Sequence, residues 1–248
     1  MTPLYLIPIS LCILSSCTLS DWSAQTTTPL SPTQTPVVQS GTTDTITNKI
    51  SATTAETLKN AYSEELLAEA IYRDIVAKYP ALASIDNIVQ SEGKHSTQVG
   101  KLLTARGITL PTDFGIYADT YTTLKTLVDS SLTGAIEVGV MVEVGDIDHL
   151  LAEYQTLTDA DIRQVFENIG GGSFNHLRAF LRFAEQYSYT PTTDSSKYMT
   201  PADLSTTGSL KSKMTDLLKA NNLPTSGVSG GGQGQGQGQG QGRGRMNR

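Results

Sequence analysis

The chain has little to work with outside carbon, oxygen and nitrogen chemistry. It has 248 residues and two cysteines. Cys12 lies inside an apolar N-terminal run and Cys17 at its end, so everything downstream has no disulfide, no thiolate ligand and no cysteine nucleophile. There is no excess of basic charge. The formal net charge is -6, which excludes the electrostatic footprint of a nucleic-acid binder. No phosphate-binding glycine loop followed by Lys-Ser/Thr occurs, and no G-x-S-x-G nucleophile elbow. Sustained apolar/polar alternation is missing between Ala52 and Tyr189, which excludes a sheet-based domain. Hydrophobic residues make up 38%, low enough to expect unpacked segments at the ends.

Residues 18–51 are rich in Ser, Thr, Pro and Gln, and residues 226–248 are a Gly-Gln repeat with Arg243, Arg245 and Arg248 at its end. Neither segment has enough apolar surface to offset its conformational entropy. The expected organisation is a leader over 1–17, a linker over 18–51, a folded domain over 52–189, an extension over 190–225 carrying a short helix near Leu210–Asn221, and the tail.

The leader "LYLIPISLCILSSC" is too short to span a bilayer comfortably and ends in small residues before Cys17. "LSSC" resembles the lipobox of bacterial lipoproteins. That resemblance implies cleavage before Cys17, lipid on its new amino terminus, and a membrane anchor at the cell envelope. No Lys or Arg precedes the apolar run, so a plain secretory signal and an uncleaved anchor remain open. All three place the domain outside the cytoplasm.

The folded segment reads as four long helices. Helix A is expected near Ala55–Tyr79, stopped by Pro80. Helix B runs near Ser84–Arg106, closed by Gly107. After a loop and a short helix near Tyr121–Ser130, helix C runs near Thr133–Tyr154. Helix D begins after Thr158, where "TDAD" offers a Thr cap, and runs to about Tyr187 with Gly170–Gly172 inside it. A longer connection after the second helix suits an all-α four-helix bundle.

Core positions in such a bundle recur every three or four residues. On helix A they read Leu58, Tyr62, Glu65, Tyr72, Ile75. On helix B they read Ile85, Ile88, Glu92, His95, Val99, Leu102. Helix C gives Ile136, Val140, Glu143, Ile147, Leu150, and helix D gives Ile162, Phe166, Ile169, Ser173, His176, Phe180. Every seam is apolar except at one level, where each carries a carboxylate, an imidazole or both. No Lys or Arg sits on a seam at that level. A buried carboxylate without a basic partner must take up a proton or a cation. Carboxylates and imidazoles suit iron, manganese or zinc. Glu92 and His95, three residues apart, share a helical face and can address one site. His149 falls on the polar side of helix C, Asp159 and Asp161 favour the start of helix D, and Arg178 reads as solvent-facing.

The arrangement resembles the ferritin-like superfamily, in which two helices give one Glu each and two give Glu-x-x-His. The helix A spacing from Glu65 to Tyr72 is similar to that of rubrerythrin. "SEGKH", "EVGVMVEVGDIDHL" and "GGSFNHLRAF" resemble the ferritin-like domain-of-unknown-function 2202 family, over roughly Ala55–Tyr187. The resemblance implies an up-down bundle with a short extra helix between the second and third, and metal ligands Glu65, Glu92, His95, Glu143 and His176. It implies iron first, with manganese and zinc open. It departs at helix D, where Ser173 replaces the expected Glu. Asp146 is the candidate to supply that carboxylate, ahead of Glu69 and Glu137. The function implied is oxygen- or peroxide-linked redox chemistry or metal storage. The alternative is a non-enzymatic structural or partner-binding envelope protein with a metal-free polar layer. Homo-oligomer formation stays open, and no cage is expected.

Overall fold

The computed structural model describes residues 50–227, and the leader with Cys17, the linker before Ile50 and the Gly-Gln tail lie outside the described residues. Among the described residues every regular element is helical. α1 (Ala52–Lys78) is followed by a 3-10 segment (Pro80–Ile85) and α2 (Asp86–Ala105). A second 3-10 turn (Gly115–Tyr117) leads into α3 (Ala118–Ser130). Then come α4 (Leu132–Tyr154), α5 (Ala160–Gln186), α6 (Pro201–Ser205) and α7 (Ser212–Ala220). No helix among the described residues is long and apolar enough to cross a membrane.

Local chemistry sets these boundaries. The Ser51 side chain accepts from the Thr54 backbone N–H at the start of α1, and Ser131 does the same for Gly134 at the start of α4. Pro80 lies just beyond the end of α1. At the end of α2, Gly107 adopts φ +69°. Its N–H bonds Thr104 O, and the Ile108 N–H bonds Leu103 O, each at 3.0 Å, which closes the helix with a Schellman motif. The Thr cap expected for the last long helix is not used. Asp159 occupies the N-cap without a side-chain bond, and Asp161 in the first turn is gripped by both oxygens by Arg106.

Helix directions follow from the contacts. Gly93 lies against Glu69 and Gly100 against Tyr62, so α2 runs antiparallel to α1. α3 carries the chain back along α1, with Tyr121 bonded to Asp74 and Tyr79 to Val128 O. α4 therefore runs antiparallel to α1 and parallel to α2. α5 turns back along α4, with Ser173 beside Asp146 and Tyr154 bonded to Glu167. The four long helices form a bundle with one crossover, made by α3, between the second and third.

The core is filled by fully buried Leu58, Leu67, Ile71 and Ile75 from α1, Val99 and Leu103 from α2, Ile136, Val140 and Ile147 from α4, and Ile162, Phe166, Ile169 and Phe180 from α5. Each such side chain contributes about 1.5–3 kcal/mol by leaving water. α4 is enclosed on nearly every side, between α1, α3 and α5. Gly139 allows its closest approach: a methyl group there would collide with the Phe180 ring.

The C-terminal extension is a strap laid antiparallel along α5. Arg182 and Arg178 hold the carbonyls of Leu204, Thr206 and Gly208, Asn175 accepts from Leu210 N, and Met214 seats on Gly170. Arg178 thus serves the strap rather than solvent, because the extension covers the face that the sequence pattern leaves polar. The strap's five-residue α6, capped by a Thr200–Asp203 capping box, is absent from the sequence reading.

Candidate metal centre

The seam positions converge at mid-bundle. α1 brings Glu65, α2 brings Glu92 and His95, α4 brings Glu143 and α5 brings His176, and all five are buried. Glu92 is the hub. Its Oε2 lies 2.7 Å from His95 Nδ1, and its Oε1 lies 2.8 Å from His176 Nδ1. Glu65 Oε2 approaches His95 Nδ1 at 3.4 Å from one side, and Glu143 Oε1 approaches His176 Nδ1 at 3.5 Å from the other. The donors form two triads, Glu65–Glu92–His95 and Glu92–Glu143–His176, each with ligand atoms within 4.8 Å of one another. Glu92 is common to both.

The two imidazole rings are stacked, 5.7 Å between centroids. Both present Nδ1 to the carboxylates. Gly172 makes the room: a Cβ there would lie 2.7 Å from His95 Cε1 and 2.8 Å from its Nε2. Part of the glycine run thus serves the centre, while Gly170 and Gly171 accept the strap on the opposite side.

Ser173 stands one turn before His176. Its hydroxyl donates to Asp146 Oδ2, with Ile169 O also in reach at 3.1 Å. Asp146 is buried beside the triads but belongs to neither. The two weaker candidates have other tasks. Glu69 pairs with Arg73, and Glu137 is held by Tyr189, Thr192 and Thr193 of the strap. Tyr72, fully buried, donates to Glu143 Oε1 at 2.5 Å.

Burial and neighbouring charges shift the proton affinities of this layer. Burial pushes the carboxyls of Glu65, Glu143 and Asp146 upward, and for Asp146 the carboxylates of Glu64 and Glu143 push the same way. Burial acts against the imidazolium of His176, yet Glu92 and Glu143 outweigh it and raise its pKa to about 10. His95 is raised likewise, by Glu65 and Glu92. Glu92 is held well below the usual carboxylate range despite its burial, because an imidazole faces each oxygen. Tyr72 is pushed up by burial and by Glu143.

Two observations show that protons satisfy the layer incompletely. His176 Nδ1 is buried close to two carboxylates yet makes no aligned hydrogen bond. Among the described residues, no lysine or arginine is in the buried polar set. An orphaned imidazole nitrogen aimed at carboxylate oxygens fits a cation better than a proton. The donor set is one that could hold metal ions.

The sequence reading missed Glu64 and misplaced His149. His149 is buried, not solvated, and its Nδ1 lies 2.9 Å from Glu64 Oε1. The reason is the enclosure of α4, whose apparent polar side is covered by α1 and by Tyr117 of the 3-10 turn, 6.1 Å between the rings. The signal available was spacing, since His149 lies three residues after Asp146 on one helical face.

Comparison with known proteins agrees with this architecture. A family model described as an uncharacterized protein domain (DUF2202) matches residues 55–200. The uncharacterized protein MJ0754 of Methanocaldococcus jannaschii is 33% identical over 152 residues, which span 57% of this chain and 82% of that protein. The crystal structure of hypothetical protein MJ0754 from Methanococcus jannaschii superposes with a TM-score of 0.57 at 26% identity, covering 71% of this chain and 98% of that one.

Proposed function

The chain belongs to the DUF2202 family, an uncharacterized protein domain, and on that premise we propose that it binds two divalent transition-metal ions in the bundle core. One observation carries the proposal: Glu92 offers one oxygen to each of two donor triads that share it. A carboxylate placed so would be shared by both ions. Glu65 and His95 would hold one ion, and Glu143 and His176 the other. Asp146, held by Ser173, supplies the nearby fourth carboxylate in place of a Glu at 173. The one-crossover bundle and this donor set support a ferritin-like reading, with iron first and manganese or zinc as alternatives.

Bound ions would supply Lewis acidity and, for iron or manganese, one-electron capacity suited to oxygen- or peroxide-linked chemistry or to metal storage. The chain's own residues do the rest. The apolar seams above and below exclude water. Tyr72 fixes Glu143 by donating to Oε1. His95 and His176 would give up protons on holding an ion. We further propose display at the cell envelope through lipid on Cys17, supported by the apolar run ending in "LSSC".

Elemental analysis of the purified chain tests the metal reading. Close to two transition-metal ions per chain are expected, lost in Glu92→Ala/His95→Ala. Absence of metal after reconstitution with iron, manganese and zinc refutes it. For the anchor, labelled fatty acid should enter the protein in cells and fail to enter Cys17→Ser; equal labelling of both would contradict it.

A further inference from the structure

All three histidines of the chain are buried, but only two meet in the centre. The third belongs to a second polar series. Along α4, Glu143, Asp146, His149 and Glu153 follow at intervals of three, three and four residues, which puts them on one helical face. At 1.5 Å rise per residue the series extends about 15 Å, from the centre toward the end of the bundle where α1 begins. α1, antiparallel, adds Glu65, Glu64 and Thr57. Glu64 Oε1 meets His149 Nδ1 at 2.9 Å, and Tyr117 OH reaches Glu64 Oε2 at 3.5 Å.

The series is graded in exposure. Glu143, Asp146, His149 and Glu64 are buried, and Glu153 at the outer end is partly exposed. Unmet hydrogen-bonding capacity marks both ends. Glu153 Oε2 is buried without a hydrogen-bond partner at the outer end, and His176 Nδ1 is in the same condition in the centre at the inner end. Among the described residues, no lysine or arginine pairs with the row, and the buried Arg106 side chain is taken by Asp161. A structural Glu64–His149 pair alone would require neither Asp146 nor Glu153. A row of carboxylates with an imidazole as its basic partner, between low-dielectric walls, concentrates cations and speeds their arrival. Carboxylate and imidazole at successive turns offer a divalent ion one new ligand before the last is released.

We infer that this ladder, Glu153 to Glu64 and His149 to Asp146, is the route by which divalent transition-metal cations enter the centre. The inference rests on the two-ion reading of the centre. Glu153, Glu64 and His149 pass the ion and do not hold it at equilibrium, consistent with the absence of a third ligand triad among the described residues, and Asp146 hands it to the centre.

The test is stopped-flow uptake of cobalt(II) by the full-length chain stripped with chelator, followed by the cobalt d–d absorption. Glu153→Gln and Glu64→Gln should still fill with two ions at equilibrium but take them up roughly tenfold or more slowly. Glu185→Gln, exposed at the end of α5, should match the unaltered chain. Glu153→Gln sits at a partly exposed position and keeps the test decisive if Glu64→Gln does not fold. Uptake at the unaltered rate by Glu153→Gln overturns the route alone. No uptake by the unaltered chain overturns the two-ion reading and the route with it.

Discussion

Glu92→Gln is the most informative single change, because it removes the one donor that both triads share while preserving side-chain shape. A ligand that binds only the folded state stabilises it by RT ln(1 + [L]/Kd), about 2.7 kcal/mol at a hundredfold excess over Kd. Two ions at that excess contribute about 5 kcal/mol. A domain of this size shifts by roughly 2–4 °C per kcal/mol. The unaltered chain should therefore melt roughly 10–20 °C higher with saturating manganese or zinc than with chelator. Glu92→Gln should shift by no more than a few degrees. The substitution also disturbs the metal-free protein, since His95 and His176 lose a charged partner. The comparison is accordingly the metal-induced shift within each protein, read by circular dichroism in paired melts. An equal rise in Glu92→Gln, or no rise in the unaltered chain, would refute the reasoning.

The pH dependence has a definite sign. His95, His176, Glu65 and Asp146 all have folded pKa values raised above their ordinary ones. Their contribution to the metal-free protein is full at low pH and lost as pH rises, for His176 between about 6.5 and about 10. Metal-free stability should fall across that window, less so in His176→Gln; an identical decline in both would contradict the assignment. Because the imidazoles must lose protons to coordinate, loading at pH 7 should release at least one proton per ion in weakly buffered solution, and none would count against the ligand set. Tyr72→Phe should weaken one of the two ions roughly 10–100-fold and spare the other, measured by calorimetric titration. Gly139→Ala should lower the unfolding free energy read from urea titration by about 1–3 kcal/mol through collision with Phe180, with relief by Phe180→Leu; an unchanged free energy would contradict the packing.

Helical periodicity carried much of this into view. The ends of α1, α2, α4 and α5 lie within about three residues of those that capping and breaking residues suggest. The five seam residues Glu65, Glu92, His95, Glu143 and His176 meet because residues at one depth on four parallel or antiparallel axes must meet. What stayed hidden depends on contacts far apart in sequence. The grip of Thr192 and Thr193 on Glu137, which removes that carboxylate from the centre, joins residues more than fifty apart and has no period. His149 looked solvated because a helical wheel shows which side is polar but not which side a neighbouring loop covers. Glu64 was masked by its neighbour: adjacent residues point about 100° apart, yet α1 is buried widely enough for both to be enclosed. Ser173 was legible as a missing carboxylate, but its bond to Asp146 was not.

Anomalous diffraction from crystals of the manganese- or iron-loaded chain tests the central claim most directly. Two anomalous peaks about 3.5–4 Å apart are expected, one on each side of the Glu92 carboxylate, with Glu65 and His95 on one ion and Glu143 and His176 on the other. Crystals that show no peak in the bundle core after loading, or peaks away from Glu92, would contradict it.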